Sequence, residues 1–449
     1  MDLYLKLKLF PLTFVHLDWE RSCLNMKKTA SIIALSALLL SLALAGCSTP
    51  LPEGSADVAD FTALVKGVSW PEAPNAIDNR LQKALFDFSW DFFQEAAKNE
   101  GNVFISPASV YLALSMTLNG ADGETLQAMK EALKAGGLAE DEFNGANRDY
   151  ILILQTTGDN TELSVANSIW YREDFNPDPE FIQKNADYYN AAVRALNFKS
   201  AQAPNAINKW VKEKTRDTID RIVDNIDQDT VMFLINAVYF KSVWQNPFNP
   251  ANTAKQNFKS PQGTVPADFM HRTGSMNYLD TDGVKGVILP YDDGRFNFFA
   301  ALPPAATDVR SFIKDLNSET FFNYLLHVRR GNIKLALPKF ETRYEDSIKD
   351  ELAAMGMEIA FDPYKADFSR MNEGREKNLY ISGVKHKTFC KVDEEGTEAS
   401  AVTSVEVGIT STRIEPEIPI TFDRPFVYGI VDTTTNAPLF LGIMEDPTE

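Results

Sequence analysis

The chain has 449 residues, 44 % of them hydrophobic, and a formal net charge of −18. That is enough apolar material for the core of one large domain or two ordinary ones, and the acidic balance argues against nucleic acid or an anionic polysaccharide as the main partner. Four histidines and three cysteines leave little for a metal site, and HExxH, CxxC, GxGxxG and Walker patterns are absent, so no cofactor and no enzyme chemistry is expected.

Residues 1–25 precede a better start at Met26 and are read as an upstream translation artefact. Met26-Lys27-Lys28 forms a positive n-region, and the apolar run from Ala30 to Leu44 ends in Ala45-Gly46-Cys47. The run is short and closes on small residues, which is the pattern of a signal peptide over 26–46 and not of a membrane span. Leu44-Ala45-Gly46-Cys47 resembles the bacterial lipobox, in which the cysteine is lipidated and becomes the first mature residue. A plain secretory signal with a chance cysteine is the alternative. Lipidation of Cys47 implies a bacterial cell-envelope protein, anchored at the outer membrane or cell surface, or released from it. Residues 47–75, with Pro50, Pro52, Pro71 and Pro74, read as the lipidated tether, and a single domain is expected over 76–449. Cys390 is then the one mature thiol outside the anchor, so no internal disulfide forms; within a strand pattern it reads as a small buried hydrophobe.

Leu81, Leu85, Phe88 and Phe92 fall on one helical face. Asn102 to Ile105 is a short strand running into Ser106-Pro107, a helix opening with serine as cap and proline in the first turn. Leu163 to Trp170 is strand-like, and 205–219 reads as a helix with Ile207, Trp210 and Val211 on one face. Val231 to Phe240 is almost wholly apolar, a strand buried on both faces, with Asn236 inside it needing partners and Trp244 just beyond. Asp292-Asp293-Gly294 is a hairpin signal between strands 284–290 and 295–302. Residues 332–340 alternate; a helix is expected over 346–355, stopping near Gly356. Residues 426–430 and 439–443 form a closing hairpin.

Between a strand-like run at 387–392 and the apolar block from Ile418 lies EEGTEASAVTSVEVGITSTRIE, Glu394 to Glu415. Alternate positions from Thr397 read Thr, Ala, Ala, Thr, Val, Val, and the intervening ones are mostly polar. This period of two belongs to a strand with one buried face, yet the segment is placed as a loop. It therefore reads as a stretch with two states, exposed or paired within a sheet, with Gly396 as a pivot free to take positive φ; a disordered acidic loop is the alternative.

Glu394-Glu395-Gly396-Thr397-Glu398-Ala399-Ser400-Ala401 resembles the hinge of a serpin, and Phe422-Asp423-Arg424-Pro425-Phe426-Val427-Tyr428 is similar to the serpin C-terminal signature. The segment 102–109, the turn Gly120-Ala121-Asp122-Gly123 and the block 239–244 also resemble that family, in its order along the chain. The resemblance implies an α+β serpin fold: a large central, mostly antiparallel sheet, two further sheets, about eight or nine helices and an exposed reactive loop. It implies that Ser106, Pro107, Asn236, Trp244 and His386 belong to the region where the main sheet opens, with His386 beside Asn236 and Ser106 as a hydrogen-bonded latch and not a base. A core tryptophan is the compatible alternative for Trp244.

The function implied is suicide inhibition of a serine endopeptidase, with the cysteine class as a further candidate, by a monomer: the loop is cut and its hinge inserts into the main sheet. The family's spacing from the hinge glycine puts the reactive bond at Thr410-Ser411; counting back from Phe426 allows Arg413-Ile414. A non-inhibitory serpin-fold binding or scaffold lipoprotein is the alternative, disfavoured by the small, uncharged face over 397–407.

Overall fold

The computed structural model describes the backbone of Ala59–Asp60 and residues 65–397 and 416–449. Cys47, Glu398, Ala399, Ser400, Ala401, Thr410, Ser411, Arg413 and Ile414 lie outside the described residues. In chain order β1 (Ala59–Asp60) is followed by α1 (Asn79–Ala96), β2 (Val103–Ile105), α2 (Pro107–Leu118), α3 (Gly123–Ala132) and α4 (Glu140–Gln155). Next come β3 (Thr161–Arg172), α5 (Pro179–Tyr189), β4 (Ala192–Leu196), α6 (Ala203–Lys214) and β5 (Met232–Val243). The middle of the chain is β6 (Ala254–Ser260), β7 (Gly263–Thr281), β8 (Val284–Pro290), β9 (Phe296–Leu302), α7 (Val309–Asp315) and α8 (Ser318–Leu326). It closes with β10 (Arg329–Pro338), β11 (Phe340–Ser347), α9 (Lys349–Leu352), β12 (Lys385–Val392), β13 (Gly396–Thr397), β14 (Ile418–Thr421), β15 (Phe426–Asp432) and β16 (Ala437–Met444).

Among the described residues, seven strands form the main sheet in the order β1-β4-β3-β5-β13-β12-β11. Its pairings are antiparallel except β3 with β4. A nine-stranded sheet runs β14-β10-β7-β8-β9-β15-β16-β2, with β6 on β7. The two smaller sheets implied by the resemblance are continuous here, because the 19-residue β7 pairs in turn with β6, β10 and β8.

The helix α2 lies between the sheets, against β5 and β16. Its opening follows the sequence signal: Ser106 caps it, accepting from the Ser109 N–H, and Pro107 occupies the first turn. Ala108, Val110, Leu112, Leu114, Met116 and Leu118 are all buried, as a helix packed on both sides requires. The outer face of β5, through Ile235 and Ala237, packs instead on Trp170, Ile207 and Trp210 beneath α6.

Three sequence expectations shift. The helix expected over 205–219 is α6, which ends at Lys214, because Arg216 and Asp217 take positive φ (50° and 65°) and turn the chain. The helix expected over 346–355 starts later, at Lys349: Phe340, Thr342 and Tyr344 alternate inward, and β11 pairs with β12 through Asp346 and Ser347. A left-handed Gly356 (φ 101°) ends that helical stretch as expected. The later part of the segment read as tether also makes contacts with the body. Trp70 donates its indole N–H to the Ala186 carbonyl at 3.4 Å, and the Asn75 side chain donates to Asp149 at 2.9 Å.

Candidate functional site

The short strand β13 is wedged between β5 and β12: Gly396 and Thr397 pair with Val243 and Ser242 on one side, and Thr397 with Val392 on the other. The turn leading into it is built by Asp393, whose carboxylate accepts the backbone N–H groups of Glu395 (3.0 Å) and Gly396 (3.3 Å). Trp244, just past β5, holds the same turn from beside. Its backbone N–H donates to the Glu395 carbonyl and its indole N–H to the Asp393 carbonyl, each at 2.8 Å. The indole stacks on Tyr291 with centroids 4.8 Å apart and planes at 10°, and the Tyr291 hydroxyl sits 2.5 Å from Thr397 Oγ1. Thr397 is thus buried and hydrogen-bonded where a charge would have no partner.

Glu394 is buried at the edge of this turn. Its carboxylate meets Lys339 Nζ at 2.7 Å and accepts from the Thr253 hydroxyl at 2.7 Å. Burial alone would push the carboxyl up, but the hydrogen bonds from Lys339 and Thr253 outweigh it and hold the group below the usual range. In the described arrangement Gly396 allows a close approach. It is not among the positive-φ glycines; instead, a Cβ on it would lie 2.2 Å from the Ser242 carbonyl oxygen and 2.7 Å from Val243 Cα. Glycine is needed because β5 passes so close.

Below β13, described residues leave a gap between β5 and β12. A cavity of about 540 Å³ runs there, lined by 231–238 on one side, 378–388 on the other, Ser106, Ser109 and Val110 of α2 behind, and Ile219, Ile222 and Val223 in front. Three residues expected at the sheet opening line it: Ser106, Asn236 and His386. His386 is buried and its Nε2 accepts the Ser106 backbone N–H at 3.0 Å, which leaves the ring proton on Nδ1. Burial pushes its pKa down to about 4, with Asp346 opposing weakly, so the ring is neutral. The Ser106 hydroxyl donates to the Leu439 carbonyl at 3.0 Å.

Asn236 joins the region differently from the expected three-way cluster. Its amide donates to Asn167 Oδ1 at 2.7 Å, its carbonyl accepts from Ser109, and its own Oδ1 is buried with no hydrogen-bond partner among the described residues. The link to His386 therefore passes through α2. Sequence reading had no means of finding Lys339, Thr253, Tyr291 or Asn167, each a partner far away along the chain. Tyr291 has the one usable signal, a tyrosine closing an apolar strand ahead of the Asp292-Asp293-Gly294 turn.

The described residues here form a hydrogen-bonded turn above a cavity lined by β5 and β12. Residues 83–447 match the family described as Serpin (serine protease inhibitor), whose members act as inhibitors and not as enzymes. An uncharacterized serpin-like protein of Thermococcus kodakarensis is 29 % identical over 430 residues, 94 % of this chain and 100 % of that protein. A leukocyte elastase inhibitor of Xenopus laevis is 30 % identical over 382 residues, 82 % of this chain and 99 % of that one. Among solved structures, the native state of the thermophilic serpin tengpin superposes with a TM-score of 0.79 at 35 % identity, covering 87 % of this chain and 99 % of the other. The α+β architecture is thus the serpin fold, and the chain belongs to the serpin family.

Proposed function

We propose that the protein is a suicide-type inhibitor that traps a serine endopeptidase, with the cysteine class as a further candidate, by inserting its cut loop into the main sheet. The observation that carries this reading is the placement of Gly396 and Thr397 between β5 and β12, at the head of a gap that continues down both strands. If the register of β13 continued, residue 407 would fall opposite Met232, the far end of β5. A bond cut after that point frees a complete strand. Thr410-Ser411 satisfies this, as does Arg413-Ile414, which would suit a trypsin-like enzyme. The small face over 397–407 supports insertion over the scaffold alternative, and so does the likeness to a protein named as an elastase inhibitor. We further propose that Cys47 carries a lipid, placing the inhibitor, a monomer, on a bacterial envelope facing either host or self proteases.

Mixing the protein with elastase-, trypsin-, subtilisin- and papain-like proteases tests the main reading. The expected product is a denaturant-stable complex that releases a C-terminal peptide beginning at Ser411; one beginning at Ile414 moves the bond to Arg413. Clean loop cleavage without a complex would leave a scaffold. Incorporation of a labelled fatty acid that is lost in Cys47→Ser tests the anchor.

A further inference from the structure

Asn236 is the polar break in the apolar strand β5. Its neighbours Ile235 and Ala237 pack beneath α6, so by strand alternation Asn236 faces the other way, toward α2. Its backbone carbonyl accepts from the Ser109 hydroxyl, and its side-chain Nδ2 donates to Asn167 Oδ1 on β3 at 2.7 Å. The nitrogen and oxygen of a carboxamide point to opposite sides. With Nδ2 turned to β3, Oδ1 is turned the other way, toward the cavity on the β12 side. That oxygen is buried with no hydrogen-bond partner among the described residues, and the residue as a whole is 8 % exposed. A buried acceptor left unmet is costly. The hydroxyls in the same wall do not meet it: Ser106, Ser109 and Thr388 donate to the backbone carbonyls of Leu439, Asn236 and Phe104.

The cavity around this oxygen, about 540 Å³, has the volume of a small-molecule site. Val110 and Leu114 of α2, Ile222 and Val223 in front, and Leu379 and Ile381 across from β5 give it apolar walls. Its charged groups do not favour an anion. His386 on β12 is neutral, Lys387 is engaged by Glu345 at 2.8 Å, and the exposed carboxylates of Asp227 and Asp229 outnumber the exposed ammonium of Lys385. An anionic group taken inside would be left without a partner. We infer that this cavity binds an uncharged, largely apolar molecule carrying an N–H or O–H donor, which bonds to Asn236 Oδ1 while the apolar body lies against α2 and between β5 and β12. The insertion reading puts a new strand in the same volume, so the ligand is also a brake on insertion. That consequence rests on the proposed function; the binding site itself does not.

The test titrates the intact protein with three fluorescent probes of one ring frame. N-phenyl-1-naphthylamine is apolar with a single N–H, its N-methyl derivative lacks the donor, and 8-anilinonaphthalene-1-sulfonate adds an anion. The amine is expected to bind with a dissociation constant on the order of 10 μM. The N-methyl derivative should bind roughly tenfold more weakly, and the sulfonate by about tenfold or more. Ala113→Phe, which extends a ring from α2 into the cavity, should abolish binding while circular dichroism shows a folded chain; if that variant does not fold, the probe series decides. Equal affinity for the amine and either of the other probes overturns the assigned chemistry, and undiminished binding in a folded Ala113→Phe overturns the site. After a non-target protease cuts the loop, the probe should leave as melting resistance develops, and a probe concentration about ten times the dissociation constant should slow that development roughly tenfold. Resistance that develops with the probe still bound overturns this inference. A cut protein that gains no resistance and keeps the probe overturns the insertion reading and leaves the binding site standing.

Discussion

Gly396 and His386 show how single side chains set the two ends of the slot. A methyl on Gly396 would meet backbone atoms of Ser242 and Val243, not a flexible side chain, so β13 itself has to move. Gly396→Ala is expected to cost about 1–3 kcal/mol by overpacking. It should also shift the fluorescence of Trp244, whose two N–H groups bond to the adjoining carbonyls, and raise the amount of inhibitor consumed per protease. At the lower end, His386 is neutral because burial lowers its pKa to about 4 from an ordinary value near 6.5. The unfolded chain binds this proton more readily, so the contribution is fully present above about pH 6.5 and is lost as pH falls toward 4. The loss amounts to about 3 kcal/mol. Urea denaturation from pH 7 to pH 4 should show that slope in the wild type and a flatter one in His386→Gln; equal slopes would place the acid sensitivity elsewhere.

Elements are tied together by charges whose partners sequence could not supply. Asp432, fully buried on β15, accepts from Arg295 Nε and Nη2 at 2.8 Å each and also accepts from Thr434 and Thr435. Arg295 in turn donates to the Ile153 carbonyl at 2.7 Å and to that of Thr156, so the end of α4 is fastened to the β9–β15 edge. Asp432→Ala leaves that guanidinium largely buried and unpaired, and should lower stability by about 3 kcal/mol in denaturant titration; a loss under 1 kcal/mol would mean Arg295 reaches water. Local signals explain what was legible here. The Ser106-Pro107 cap, the apolar run that became β5 and the closing hairpin are each fixed by residues close in sequence. Residues 340–347 were partly assigned to a helix because the strand there is decided by an eight-residue ladder with β12. The close approach of β5 to Gly396 cannot be read from the hinge alone. Lys339 and Thr253 are found only once the fold brings them to Glu394.

At the scale of the whole molecule, the proposed function requires one sheet to accommodate two arrangements of the same chain. Among the described residues β13 is Gly396–Thr397, and a cavity of about 540 Å³ is lined below it by residues of β5 and β12. If the register of β13 continued, residues 398–407 would run from Lys241 down to Met232, and the alternate positions Ala399, Ala401, Thr403, Val405 and Val407 are small or β-branched. An added central strand gives each of its residues partners on both sides, for a net gain on the order of 10 kcal/mol after the cost of ordering it. The segment between β13 and β14 is tied at its two ends, by β13 in the main sheet and by β14 on the other sheet. On the proposed function, one cut between 407 and 416 releases that strand. Scanning calorimetry of the intact and loop-cut protein should therefore show the melting temperature rising by at least about 10 °C on cutting, although a peptide bond has been lost. An unchanged or lower value would mean that the slot below Thr397 does not admit the strand, and that the small residues of the loop serve only to make it easy to cut.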